Sequence, residues 1–311
     1  MTSRSRSAST ALAGLAAAAI ALTACGTGDQ AAPGAGDKIK VIASTSAWGS
    51  VAQAVGGDAV EVESIISDPN ADPHSHESTP RDAAKVTDAD LVVYNGGGYD
   101  EFIEQILGDA QKPTVAAVEG EHEGGHEHGH EGHDHSANEH VWYDLHVVHE
   151  VADRIAGELG RIQPAKAAQF EQAADQFETE IGALEAKVGE IAAADQGKPV
   201  IVTEPVAHYL VEAAKLRDVT PQSFVNAVEA ETDPSAAAVA EIQDAINGEQ
   251  AAAVIYNPQT ESPVTRNVRT AAEQHRIPVV EMTETLPEGK TYVQWMDAQI
   301  TALRTALDQD R

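Results

Sequence analysis

Apolar and polar positions along the chain change period several times, and each change marks an element. Short apolar runs, rich in Val and Ile and bounded by polar or glycine residues, predict strands over 38–44, 60–66, 91–95 and 114–118. Gly96-Gly97-Gly98 stops the third of these. Helical spacing fills the intervals at 48–55, 79–88 and 102–107. After a long helical stretch the alternation resumes, with strands predicted over 199–203, 253–256 and 279–282. Short, nearly continuous apolar strands separated by helices are the pattern of parallel sheets buried on both faces. The expected fold class is therefore α/β, with two parallel-sheet lobes.

Phe170, Ala174, Phe177, Ile181, Leu184, Val188 and Ile191 follow one another at alternating steps of four and three. That spacing lays a single apolar stripe along a helix of about 30 residues, or ~45 Å. Pro164 suits its first turn. The stripe fits a coiled-coil dimer or one helix packed against both lobes, and Gly182 and Gly189 weaken the first option. The expected organisation is an N-terminal lobe over 38–163, a connecting helix over 164–195 and a C-terminal lobe over 196–311.

The first 25 residues read as an address. Arg4 and Arg6 precede an Ala/Leu-rich stretch too short to span a bilayer, the form of a secretory signal. Its ending, Leu22-Thr23-Ala24-Cys25, resembles a bacterial lipobox, in which the cysteine is acylated and becomes the mature N-terminus. Cys25 is the only cysteine of the chain, and it stands where cleavage would fall. The expectation is a protein secreted across the cytoplasmic membrane and held by lipid to its outer face, with 26–37 as a flexible Gly/Ala-rich tether.

Composition narrows the function. With 50 acidic against 20 basic residues the formal net charge is -30, which excludes a nucleic-acid partner. A single cysteine excludes a disulfide framework and cysteine-based zinc modules. Histidine is the anomaly. Within an expected loop over 121–139, the run from His122 to His135 holds six histidines among acids and glycines. It contains the string H-E-x-x-H twice, but that motif acts only on a helix, and these turns carry glycine and no apolar face. A flexible loop of neutral imidazoles that holds zinc, copper or nickel weakly is the better reading, against a solvated low-complexity loop.

Four further ligand-type residues stand at similar places. Asp72-Pro73-His74 follows the second strand, His140 closes the histidine-rich loop, Glu204 follows the strand 199–203 and Glu284 follows the strand 279–282. Three of them lie beyond strand C-termini, the edge at which α/β sheets bind ligands. Two imidazoles and two carboxylates suit a divalent first-row metal. His208 lies four residues after Glu204 on the same helical face and is an alternative to it, as His76 is to His74. His146, His149 and His275 are isolated.

The run DPNADPHSHESTPRDAAKVTDADLVVYNGGGYDEFI, with His140-Val141-Trp142, the long helix and a closing helix over 292–307, resembles the metal-binding lipoproteins of bacterial zinc and manganese ABC importers, the ZnuA/TroA-like proteins. The resemblance implies two α/β lobes joined by one rigid helix, with the metal held between the lobes. By position it implies His74, His140, Glu204 and Glu284 as metal ligands. Two departures stand out: Glu204-Pro205 where the zinc branch has His-Asp, and Glu284 where the fourth ligand is usually Asp.

The resemblance also implies an ABC permease as partner and a monomeric, non-enzymatic protein that captures a metal for uptake. The histidine-rich loop suits zinc and does nothing for manganese, so zinc is expected ahead of manganese. A manganese-specific protein of the same type, or a cell-surface metal buffer or adhesin, are the alternatives. No nucleophile–base arrangement is visible in the sequence, so an enzyme is not expected. Binding is expected to weaken below about pH 6, where ordinary imidazoles protonate.

Overall fold

Strand and helix alternate through two separate four-stranded sheets in the computed structural model, which describes residues 38–119, 138–230, 232–248 and 250–309. The signal 1–25 with Cys25, the tether 26–37 and the run His122 to His135 lie outside the described residues.

In the first lobe the order is β1 (Ile39–Thr45), α1 (Ser46–Gly56), β2 (Val60–Ile66), α2 (Pro80–Asp88), β3 (Leu91–Gly96), α3 (Glu101–Leu107) and β4 (Thr114–Val118). Then come two long helices, α4 (Leu145–Ile162) and α5 (Ala167–Asp195). The second lobe runs β5 (Pro199–Val202), α6 (His208–Ala213), β6 (Arg217–Asp218), α7 (Gln222–Glu229), α8 (Ala236–Asn247), β7 (Ala253–Tyr256), α9 (Pro263–Gln274), β8 (Val279–Glu281) and α10 (Tyr292–Gln309).

All pairings are parallel, and both sheets share one topology, β2-β1-β3-β4 and β6-β5-β7-β8. In each, the second strand lies on one side of the first and the third on the other. The side on which the next strand is added thus switches between β1 and β3, and again between β5 and β7. Such switch points leave a crevice at the carboxyl ends of the strands, which is where the candidate residues gather.

Both faces of each sheet are buried, for the reason the apolar runs suggested. Val41 and Ala43 of β1 face the main core, whereas Ile42 joins Val86, Val92 and Ile103 on the other side. In the second lobe Val200 and Val202 face the main core and Ile201 the opposite cluster with Phe224 and Val254. The main core is continuous between the lobes. It contains every stripe residue of α5, from Phe170 to Ile191, together with residues of α1, α4 and α10. The stripe is therefore covered by the chain's own helices. Ion pairs of Lys187 with Asp297 and Glu190 with Arg304 fasten α5 to α10 at the surface.

One element, β6, had no counterpart in the sequence pattern, and Pro164 divides the helices between the lobes. The long helical stretch is broken, with α4 ending at Ile162 and a single turn over Pro164–Lys166 preceding α5. Proline lacks the N–H that would continue the α4 ladder, so it starts a new element instead. Strand β6 has only two residues, both exposed, and no apolar signal to betray it. Among the described residues no helix is long and apolar enough to cross a membrane.

Candidate metal centre

Each candidate side chain is held by local chemistry. Past β2, the Asp72 carboxylate accepts the His74 backbone N–H at 3.0 Å and caps the turn Pro73–Ser75 that carries His74. At the end of β3, Asn95 accepts from Trp48 Nε1 at 3.1 Å and donates to the Glu139 carbonyl at 2.8 Å, which draws the chain around His140 onto the sheet edge. Gly96 has φ +74, and a Cβ there would stand 2.3 Å from the Val118 carbonyl oxygen, so only glycine fits. The Asp100 carboxylate accepts the Asn95 and Gly96 N–H groups at 2.6 and 2.8 Å. This turn places the Tyr99 ring against His74 and Trp142, with centroids 5.1 and 4.8 Å away.

His140 is fully buried. Its backbone N–H and its Nδ1 both meet Asn138 Oδ1, at 2.8 and 2.9 Å. An amide oxygen can only accept, so the proton belongs on Nδ1 and Nε2 keeps its lone pair. That Nε2 has no hydrogen-bond partner.

From the second lobe, Glu204 stands just past β5, Asn257 just past β7 and Glu284 just past β8. The Asn257 amide donates to Glu284 Oε1 at 2.9 Å and also to Glu204 Oε1, and Thr260 donates its hydroxyl to Glu204 Oε2. Tyr99 donates to Glu284 Oε2 at 2.7 Å across the lobes. Gln259 accepts the Glu284 N–H at 2.6 Å and donates to the carbonyls of Pro69 and Ala71 at 3.1 and 2.9 Å. One second-lobe amide thus grips both Glu284 and the first-lobe loop leading to His74.

His74 Nε2 lies 3.3 Å from Glu284 Oε2, and His140 Nε2 lies 3.9 Å from the same oxygen. His74 Nδ1 faces Glu139 Oε1 at 3.4 Å. An unprotonated His140 nitrogen opposite a buried carboxylate sets acceptor against acceptor, an arrangement that a cation between them would relieve.

The proton affinities follow from this crowding. Burial depresses His74, but its hydrogen bond and charge interaction with Glu284, joined by Glu139, prevail and raise it to about 10. His140 goes the other way: burial outweighs Glu284 and lowers it to about 4. Burial would raise Glu284, yet His74, His140 and Tyr99 hold it below the ordinary carboxylate range. Burial and the neighbouring Glu284 charge push Glu204 up. Glu229, at the end of α7, rises to about 7, through burial and then the repulsion of Glu139 and Glu284, against the pull of His74.

The structure brings His74, His140 and Glu284 together directly, and Glu204 reaches Glu284 through the shared Asn257 amide. His208 is half exposed and faces Glu212 at 3.7 Å, outside the buried cluster. His76 turns away from His74 towards Asp82 at 3.7 Å and the Phe102 ring. His146 and His149 pair with acids on exposed helix faces, and His275 ends α9.

Sequence reasoning missed Tyr99, Asn257, Glu139 and Glu229. Asn257 follows a strand just as Glu204 does, a signal that was available. Nothing in the α7 sequence announced Glu229. Yet one donor atom each from His74, Glu139, His140 and Glu229 lie within 4.8 Å of one another, as do donors from Asp72, His74 and Glu284.

Residues 41–306 match the profile of the ZnuA family, described as "Zinc-uptake complex component A periplasmic". The chain belongs to that family. Among its ZnuA-family relatives, the zinc-binding lipoprotein AdcA of Streptococcus pneumoniae serotype 4 (strain TIGR4) is 25% identical over 272 residues, 82% of this chain and 53% of AdcA. The manganese-binding lipoprotein MntA of Bacillus subtilis (strain 168) is 30% identical over 171 residues, 54% of each chain. The chain thus spans about half the length of the curated relatives it matches.

In solved structures the fold is that of the periplasmic zinc-binding protein TroA of Treponema pallidum (TM-score 0.68, 18% identity, 87% of this chain and 99% of TroA). It also matches the Zn(II)-bound ZnuA-like domain of S. pneumoniae AdcA (TM-score 0.66, 19% identity, 88% of this chain and 100% of that domain).

Proposed function

We propose that this chain is an extracytoplasmic binding lipoprotein that captures a divalent metal ion and delivers it to an ABC permease in the membrane. His74, His140, Glu204 and Glu284 hold the ion, zinc is the preferred cargo and Cys25 carries the lipid. The observation that carries the reading is the buried His140 Nε2, lone pair outward and without a hydrogen-bond partner, aimed at the Glu284 carboxylate between the lobes. Two neutral imidazoles and two carboxylates complete a four-donor shell of the kind zinc favours, and the two negative charges balance the ion. The run His122 to His135 supports zinc, since loose imidazole sites are of use only to an imidazole-binding metal.

Manganese is the second reading, favoured by the number of carboxylates around His74 and by the likeness to MntA. Elemental analysis of the anaerobically purified chain, followed by zinc/manganese competition, decides between them. One tight equivalent of metal is expected in the wild type, and a chain that takes up none overturns the proposal. Glu204→Ala is expected to abolish tight binding and His208→Ala to leave it. The reverse result transfers the third ligand to His208.

A further inference from the structure

Glu229 is not explained by the four-residue site. It ends α7 in the second lobe and is half-buried in a cleft of about 270 Å³ shared with Asp72, His74, Glu204 and Thr260. Among the described residues no hydrogen bond or ion pair holds its carboxylate, and its surroundings are acidic. Glu139, by contrast, is engaged by His74 Nδ1 at 3.4 Å.

A donor atom of Glu229 stands within 4.8 Å of donors on both His74 and His140, the two imidazoles that also face Glu284. Two donors bound to one ion at about 2.2 Å are at most ~4.4 Å apart. A contraction of a few tenths of an ångström would therefore bring Glu229 onto an ion held by those two imidazoles. His140 belongs to this group of donors, is fully buried, and leaves its Nε2 without a hydrogen-bond partner, which points to an ion at that nitrogen.

Resting on the proposed function, we propose that Glu229 is a fifth metal donor that narrows the preference for zinc over manganese: it closes onto an ion held by the two histidines and supplies the extra oxygen that manganese requires and zinc does without. Zinc is satisfied by four nitrogen and oxygen donors in a tetrahedron. Manganese is harder, favours carboxylate oxygen and takes a larger shell. A carboxylate that joins an otherwise complete site therefore benefits manganese most. Its place on the second lobe, facing histidines of the first, makes it a donor that helps hold the lobes together around the ion.

The test is zinc and manganese titration of the metal-free full chain as wild type, Glu229→Gln and Glu229→Asp, with Co²⁺ visible absorption as a readout of coordination number. Glu229→Asp keeps the charge but withdraws the oxygens by one methylene, and so separates a ligand from a mere negative field. In both variants manganese affinity is expected to fall about tenfold or more and zinc affinity less than about threefold. The Co²⁺ bands are expected to intensify as the shell moves towards four donors. Unchanged manganese affinity in Glu229→Asp, or equal losses of both metals in Glu229→Gln, overturns the assignment. A wild type that binds neither metal refutes the parent reading, whereas wild-type binding with unaltered variants refutes the role of Glu229 alone.

Discussion

His74 is where a proton would compete most directly with the proposed ion. Its ring lies between two carboxylates, Glu284 at 3.3 Å and Glu139 at 3.4 Å, which outweigh the opposing effect of burial and raise its pKa to about 10. The folded pKa is raised above the ordinary 6.5, so the stabilisation is complete below about pH 6.5 and is lost as pH rises through about 10. An incoming ion must displace that proton. The sequence suggested that binding would weaken below about pH 6. The carboxylates around His74 move the window upward, so affinity is expected to climb about tenfold per pH unit across the neutral range for each proton displaced. Calorimetry at pH 7.5 in buffers of different ionisation enthalpy should show at least one proton released per ion, and no release would remove the argument. His140, lowered to about 4, is already neutral and gives up no proton, so His140→Ala acts through the lost ligand alone. A loss of about 100-fold or more in zinc affinity is expected at every neutral pH, read by competition with a chelator.

Among the elements, α5 divides cleanly into a buried stripe and a wet face. Phe177 is 4% exposed and packs on the Tyr292 ring with centroids 6.1 Å apart, inside the core that runs between the lobes. Phe177→Ala leaves a cavity that neither lobe can fill without moving, and a loss of about 3–5 kcal/mol is expected in urea unfolding. Gly182 is on the other face, where an added Cβ would meet nothing within 4 Å. Gly182→Ala should therefore stabilise by up to ~1 kcal/mol through helix propensity. A destabilising Gly182→Ala would show that this face packs on something.

At the scale of the whole molecule, the buried donor cluster contains His140, which follows a long histidine-rich stretch in the sequence. In sequence, Glu139 and His140 come shortly after His135, and the Asn95 amide holds them through the Glu139 carbonyl at 2.8 Å. Ions held loosely by His122 to His135 would stay near the cleft at an effective concentration in the millimolar range. Deleting Glu121 to Asp134 is expected to remove the weak zinc equivalents and leave one tight equivalent, with uptake impaired mainly when zinc is scarce. Loss of the tight equivalent, with His140 still present, would mean that the segment supplies ligands itself. Anchoring is tested separately: Cys25→Ala should release the protein to the medium or leave an unprocessed precursor, and unchanged membrane association would end the lipid claim.

The succession of most strands and helices was legible in the chain because each apolar run is local and periodic. The α5 stripe from Phe170 to Ile191 could be read residue by residue, since 3.6-residue periodicity needs no knowledge of the partner surface. His74, His140, Glu204 and Glu284 were nameable from strand ends and from family resemblance, because a ligand-binding edge is a property of parallel sheets. What covers the α5 stripe was not legible, since a dimer and an intramolecular helix layer write the same pattern. Nor was the choice between Glu204 and His208, which share a predicted helical face. Folding turned Glu204 inward onto Asn257 and Thr260 and left His208 beside Glu212 in solvent. Tyr99 met Glu284, and Glu229 met His74, only when the two lobes came together. Their partners lie up to 185 residues away, as with Tyr99 and Glu284, and local pattern carries no information at that range.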